Sequence, residues 1–348
     1  MRDVTPVQSE IIGKRQWRPG KVAGMRGKMN NWWKGARFAS TIVALAAGIS
    51  AMPPASRAAN WPASMKIMVW GASSNSPQWN RDLHVQATRQ GCSATPESCI
   101  ASIEPMAKSS GLKVFLSILL TPQTSIDYAR SYGQLSRGKP WLSEIGYDDF
   151  VAQYEKMAKD IGPFAAQQHL QNAIESLKAA NPNIKFGITL YEFELASPYL
   201  GDRRFPPALR AQVDYVHLYT AYRINAPSIA TYLEDTRKLF PRAHIIGGLY
   251  AYDRQDYLPC GPNTTKCTTT QEALLFARSV ETEGALLKKG NIDWLELSPG
   301  FFGHEADISD WKSDPRSCLP QRLPECISNT IALREKMLSI LNRTALSN

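Results

Sequence analysis

Two glutamates interrupt the end of an otherwise apolar run, FGITLYEFEL, at residues 186–195. A third, Glu296, lies between two leucines in the apolar run IDWLELSPG. A carboxylate buried without a partner is costly, so Glu296 should have either a partner or a chemical task. Two carboxyl groups on either side of one bond are the groups that hydrolyse glycosides, one as proton donor and the other as nucleophile or base.

This chemistry predicts a catalytic role for three glutamates. Glu192 is the expected general acid/base and Glu296 the expected nucleophile or second base. Glu194 is expected either to support Glu192 without touching the substrate or to be the partner of Glu192 whose pKa is raised, since two neighbouring carboxylates do not both ionise easily. Two simpler interpretations stay open. In one, the strand ends in solvent at Glu192; in the other, Glu296 forms a salt bridge with an arginine such as Arg223 or Arg254.

Aromatic and charged residues near the ends of several apolar runs suit a carbohydrate cleft, where sugar faces stack on rings and sugar hydroxyls meet charged groups. The predicted substrate-binding residues are Trp70, His217, Tyr219, Arg223, Tyr250 and Asp253. A satisfied core histidine is the other interpretation of His217. The remaining histidines show no metal-ligand spacing, so we expect no metal and no cofactor.

Apolar strand-like runs alternate with amphipathic helix-like runs along the chain. The predicted strands cover 65–71, 112–120, 186–195, 213–222, 244–252 and 292–300. The predicted helices cover 147–161, 227–240, 269–290 and 325–341, where apolar residues recur at helical spacing. Strands that are apolar along their length and separated by helices indicate a parallel sheet covered by helices.

Such a sheet is either open and doubly wound or closed into a barrel. No dinucleotide fingerprint or P-loop follows the first strand. The chain length and the functional residue types at strand ends favour a (β/α)8 TIM-type barrel with its site at the carboxyl ends of the strands. Two strands are missing from the prediction and must lie within 72–111 and 121–185, which suggests a distorted barrel. The segment DLHVQA, residues 82–87, is the one candidate.

Alternation along two strands predicts which residues face the barrel interior. In the last predicted strand, Trp294 and Glu296 share one face, opposite two leucines. In VDYVHLY, the polar face carries Tyr215, His217 and Tyr219. The direction in which Glu192 points is open. The polar segment 121–147 is interpreted as a lid over the cleft or as a surface loop.

These runs resemble the (β/α)8-barrel glycoside hydrolases. The resemblance rests on LYEFE, HLYTAYR, LYAYDR and WLELSPGFFG, within residues 65–305. It implies hydrolysis of O-glycosyl bonds in a polysaccharide or oligosaccharide. The aspartate-rich strand signature of chitinase-like barrels is absent, and Tyr191 occupies the place of the asparagine in the Asn-Glu pair of many retaining barrels. No particular family is indicated.

The first 59 residues carry ten Lys and Arg against two acids, which is +8 of the formal net charge of +9. A basic stretch, the apolar run FASTIVALAAGISA and small residues near Ala59 have the order of a secretory signal. Residues 1–59 are therefore predicted to be a targeting segment, with Met25 or Met29 as other possible starts. An uncleaved membrane anchor is the alternative. Residues 60–348 are predicted to form one domain, and the charge excess is no sign of nucleic-acid binding.

The six cysteines form three short-range pairs, Cys92 with Cys99, Cys260 with Cys267, and Cys318 with Cys326. Local pairs behind a signal segment predict disulfides. The spacings do not suit zinc.

The sequence therefore predicts a monomeric, secreted or periplasmic glycoside hydrolase. A non-catalytic carbohydrate-binding barrel and an envelope interaction protein are the alternatives.

Overall fold

A computed structural model describes residues 61–71, 82–121, 125–221, 223–249, 270–297 and 323–347. Eight parallel strands close into a barrel in chain order. They are β1 (Ile67–Trp70), β2 (Val85–Gly91), β3 (Lys113–Ile118), β4 (Leu142–Tyr147), β5 (Lys185–Tyr191), β6 (Tyr215–Tyr219), β7 (His244–Leu249) and β8 (Trp294–Leu297). The predicted (β/α)8 architecture is confirmed.

Helices follow or separate the strands within the described ranges. They are α1 (Pro96–Ser110), α2 (Ser125–Ser136), α3 (Phe150–Ile161), α4 (Pro163–Ala180), α5 (Pro207–Arg210), α6 (Ile229–Leu239), α7 (Thr270–Lys288) and α8 (Leu323–Leu346). Single 3-10 turns cover Glu192–Glu194 and Arg223–Ser228. None of the described helices combines the length and the apolar composition needed to cross a bilayer.

Local sequence explains the ends of helix α1. Thr95 precedes it, and its side chain accepts a hydrogen bond from the Ser98 amide, with Pro96 in the first turn. Gly111 ends the helix in the left-handed conformation, at φ 69°, and its amide bonds to the carbonyl of Ala107.

The two strands missing from the prediction are β2 and β4. Strand β2 begins inside the candidate segment 82–87, so that expectation is confirmed in part. The interpretation of 121–147 as a lid or surface loop is wrong, because the segment holds helix α2 and strand β4. Its Tyr132 is fully buried in the core.

Apolar side chains divide between two regions according to strand alternation. The larger core lies between strands and helices and includes Val69, Leu116, Ile188 and Leu295. A smaller cluster fills the lower lumen, with Tyr215 packed against it, and consists of Met68, Ala87, Phe115, Ile246 and Trp294. The polar residues of the lumen therefore lie above an apolar floor.

The structure contains a disulfide between Cys92 and Cys99, with 5.9 Å between their Cα atoms, as predicted. The other two pairs stay predictions. Cys260, Cys267 and Cys318 lie outside the described residues, and nothing is described of the Cys326 side chain.

Candidate active site

The centre of the lumen holds a histidine between two carboxylates. His217 Nδ1 lies 2.6 Å from Glu296 Oε2, and His217 Nε2 lies 3.1 Å from both oxygens of Glu144. All three side chains are buried. Strands β4, β6 and β8 supply them, so the arrangement exists only in the closed barrel.

Arg89 of β2 lies beside this centre and extends the network. Its Nη1 is 3.6 Å from Glu296 Oε1, and its Nη2 is 3.4 Å from Asp148 Oδ1. Nη2 also donates to Ser117 Oγ at 2.9 Å and to the hydroxyl of Thr189. One guanidinium thus joins the buried carboxylate of Glu296 to the carboxylate at the end of β4.

Trp70 covers Arg89 with its indole ring. The guanidinium carbon lies 4.5 Å from the ring centroid, within the range of a cation–π contact. The structure therefore places the predicted residue Trp70 at the upper end of the lumen, at the carboxyl end of β1.

Neighbouring carboxylates raise the pKa values of both buried cations. Burial opposes the charge of His217, but Glu144 and Glu296 outweigh burial and the repulsion of Arg89, so the pKa of His217 is raised. Burial also opposes the charge of Arg89, yet Glu296 and Asp148 raise the pKa of that guanidinium.

The two carboxyl groups that flank Arg89 have pKa values displaced in opposite directions. Burial raises the pKa of Asp148, and Asp149 adds to this effect while Arg89 opposes it. Burial would also raise the pKa of Glu296, but Arg89 and His217 prevail and lower it. Such a difference between two nearby carboxyl groups is how acid and base roles are separated within one site.

Sequence analysis missed the pair Asp148 and Asp149 because LSEIGY was not recognised as a strand. The signal was present, since two acids follow this apolar run as two acids follow β5. Asp148 has 30% of its side chain exposed. Asp149 has a left-handed backbone, at φ 40° and ψ 47°, which is unusual for a residue other than glycine and is often found at functional sites.

Strand β5 ends at Tyr191, so Glu192 and Glu194 belong to the following 3-10 turn. Glu192 accepts hydrogen bonds from the Ala221 amide at 2.8 Å and from Asn225 Nδ2 at 3.0 Å. Glu194 Oε2 accepts from the Tyr191 amide at 3.0 Å. Thr189 reaches Arg89 in the lumen, whereas Leu190 packs in the outer core. Glu192 is therefore held by Ala221 and Asn225, which both follow β6. Glu296 is held by Arg89 and His217.

The predicted inward orientation of Glu296, His217 and Tyr219 is confirmed. His217 contacts Glu296, and Tyr219 helps to lower the pKa of Glu296. Among the described side chains, Arg89 forms an ion pair with Glu296, at 3.6 Å. Arg223 begins a 3-10 turn and its side chain is not described. Arg254, Tyr250 and Asp253 lie outside the described residues.

Within the described ranges, the His, Cys, Asp and Glu side chains form no group of three or more that could hold a metal ion. The lumen carboxylates instead meet His217 and Arg89.

No family model and no curated protein matches this chain. Solved structures with similar architecture include PbGH5A, a glycoside hydrolase family 5 enzyme from Prevotella bryantii, at 12% identity and a TM-score of 0.48, covering 77% of this chain and 87% of that one. A GH18 chitinase from Pseudoalteromonas aurantia has 13% identity and a TM-score of 0.43, covering 67% and 93%. A protein from Coccidioides immitis proposed to be a fructose-1,6-biphosphate aldolase has 9% identity and a TM-score of 0.40, covering 81% and 91%. At these values the similarity carries no argument about activity.

Proposed function

We propose that this chain is a glycoside hydrolase whose proton donor is Asp148. The observation that carries the proposal is the pair Asp148 and Glu296, which share Arg89 and have pKa values displaced in opposite directions. A carboxyl group with a raised pKa beside one with a lowered pKa matches the division into proton donor and base that glycosidic-bond cleavage uses.

In the proposed reaction, Asp148 gives its proton to the glycosidic oxygen as the bond between that oxygen and the anomeric carbon breaks. The ionised Glu296 either attacks the anomeric carbon or removes a proton from the attacking water. If Glu296 attacks, water then displaces it from the anomeric carbon and gives its proton to Asp148. If Glu296 acts as the base, it keeps the proton of the water, and Asp148 regains its own from solvent as Glu296 releases one.

Arg89 has a positioning role in this scheme, because it contacts both carboxyl groups. Glu192 also acts by positioning. Its two bonds, to Ala221 and Asn225, attach the turn after β5 to the segment after β6. The catalytic role predicted for Glu192 therefore passes to Asp148 in this proposal.

One observation favours a carbohydrate-binding barrel as a second candidate. Glu296 is 0% exposed beneath Arg89, so a sugar reaches it only if the cover formed by Arg89 and Trp70 moves. A binding protein needs no such movement.

Asp148→Asn tests the hydrolase assignment. We expect kcat on a soluble polysaccharide to fall about 10²–10⁴-fold, the usual contribution of a general acid. On a dinitrophenyl glycoside the loss should be much smaller, because dinitrophenolate leaves without a proton. Glu296→Gln should lower turnover of both substrates. Reducing-sugar release from β-glucan, xyloglucan and glycol chitin, together with dinitrophenolate absorbance, gives the measurements.

Asp160→Asn is the matched control, since Asp160 is an exposed residue of helix α3 paired with Lys156. It should leave both rates unchanged. Loss of turnover in Glu192→Gln but not in Asp148→Asn would return the acid role to Glu192. Binding of polysaccharide by the native chain without cleavage of any substrate would favour the binding barrel.

A further inference from the structure

The turn after β5 buries its charged side chains and exposes its aromatic one, the opposite of the usual arrangement. Glu192 and Glu194 are buried, at 5% and 8% exposure, whereas Phe193 between them is 45% exposed. Burying two carboxylates requires compensating hydrogen bonds, and exposing an aromatic ring gains nothing for folding. The arrangement is explained if the exposed ring has a ligand.

Hydrogen bonds hold this turn in place from both sides. Glu194 bonds to the Tyr191 amide, and Glu192 bonds to the Ala221 amide. The Tyr191 hydroxyl donates to Asp149 Oδ1 at 2.6 Å. Glu192 and Glu194 thus fix the turn that presents Phe193.

Tyr191 and Phe193 form a pair of parallel rings. Their planes differ by 5° and their centroids are 5.4 Å apart. Tyr191 is the last residue of β5 and Phe193 lies just beyond it, and Asp149 follows β4, so all three lie at the carboxyl ends of neighbouring strands. Asp149 is directly next to the proposed acid Asp148. We call Tyr191, Phe193 and Asp149 the rim platform.

We propose that the rim platform binds one sugar unit of a polysaccharide, away from the bond that is cleaved. The outer face of the exposed Phe193 ring, supported by the parallel ring of Tyr191 behind it, matches the apolar face of a pyranose, and the exposed carboxylate of Asp149 accepts hydrogen bonds from sugar hydroxyls. The proposal rests on the proposed function, and it specifies the substrate as a chain of sugars that extends beyond the cleavage point.

Phe193→Ala tests the platform, with Phe164→Ala as the matched control. Phe164 is 78% exposed on helix α4 and is not part of the rim platform, so both changes remove an exposed phenyl ring. Removing an aromatic contact surface should raise KM for the polysaccharide about 10-fold or more. KM for a dinitrophenyl monoglycoside should stay unchanged in both variants, because that substrate does not reach the platform.

Affinity electrophoresis in gels that contain the same polysaccharide separates this proposal from the hydrolase proposal. Native chain and Phe164→Ala should be retarded, and Phe193→Ala should migrate faster, whether or not turnover occurs. Equal retardation of the two variants would overturn the platform. Absence of turnover with retardation that depends on Phe193 would overturn the hydrolase and keep the platform.

Discussion

At the scale of single residues, the dominant feature is the guanidinium of Arg89 in the closed lumen. It is 1% exposed and contacts Glu296, Asp148, Ser117 and Thr189. An arginine at such a depth persists because several acceptors surround it, and removing it leaves buried carboxylates without compensation.

Arg89→Met should therefore lower the free energy of unfolding by about 3–5 kcal/mol. Urea unfolding at pH 7, followed by circular dichroism, measures the change. Arg130→Met is the control, because Arg130 forms an exposed pair with Asp127 and should change stability by less than about 1 kcal/mol. Equal losses in the two variants would show that the lumen network contributes no more than a surface pair.

Sequence alone predicted part of this network. The alternation of residue types was sufficient to predict that Glu296 and His217 face inward. Their neighbours along the two strands are apolar, namely Leu295, Leu297, Val216 and Leu218. It could not reveal their partners. Arg89 and Glu144 lie on strands that are far from β6 and β8 in the chain. A buried charge that is balanced by a residue distant in sequence cannot be told from a surface charge by its sequence neighbours.

At the scale of elements, polar residues that pair inside the lumen kept two strands from being predicted. Strand β2 reads VQATRQG and strand β4 reads LSEIGY, and both carry polar residues that face the lumen. The six strands with apolar sequences were predicted close to their observed positions. The helices over α3, α6, α7 and α8 were also predicted, because their apolar residues recur at helical spacing.

Helix α7 contributes a buried acid that the site does not use. Glu283 is 2% exposed, and its Oε2 lies against Gly247 of β7. Burial raises the pKa of Glu283 from its ordinary 4.5 to about 8. The folded chain therefore binds more protons here than the unfolded chain between these two pH values.

Stability should consequently fall as pH rises from about 4.5 to about 8, by up to about 1.4 kcal/mol per pH unit from this group. Glu283→Gln should remove that slope. Guanidinium unfolding at three pH values within the window measures it. Glu281→Gln, on the exposed side of the same helix, should keep the native slope. An unchanged slope in Glu283→Gln would contradict the shift.

At the scale of the whole molecule, we propose that the chain is exported and that residues 1–59 are removed. The disulfide between Cys92 and Cys99 supports this proposal, because such bonds persist in oxidising compartments. Residues 1–59 lie outside the described residues, so the support comes from the barrel alone.

Expression of the full chain in a host with general secretion should yield a soluble product that begins at Asn60. N-terminal sequencing of the periplasmic or culture fraction checks this. A variant lacking residues 38–51, the apolar run, should remain in the cytosol without being cleaved. Recovery of the native chain uncleaved in the membrane fraction would instead establish the anchor.

The first and last described elements touch. Trp61, just before β1, donates a hydrogen bond from Nε1 to Asn342 Oδ1 in the last helix, at 2.8 Å, although 281 positions separate them. Strand β1 pairs with β8 as it pairs with β2. Because the barrel closes, its strand pairing does not depend on where the chain begins. A circular permutant that joins these two ends and opens the chain elsewhere would keep every pair of neighbouring strands.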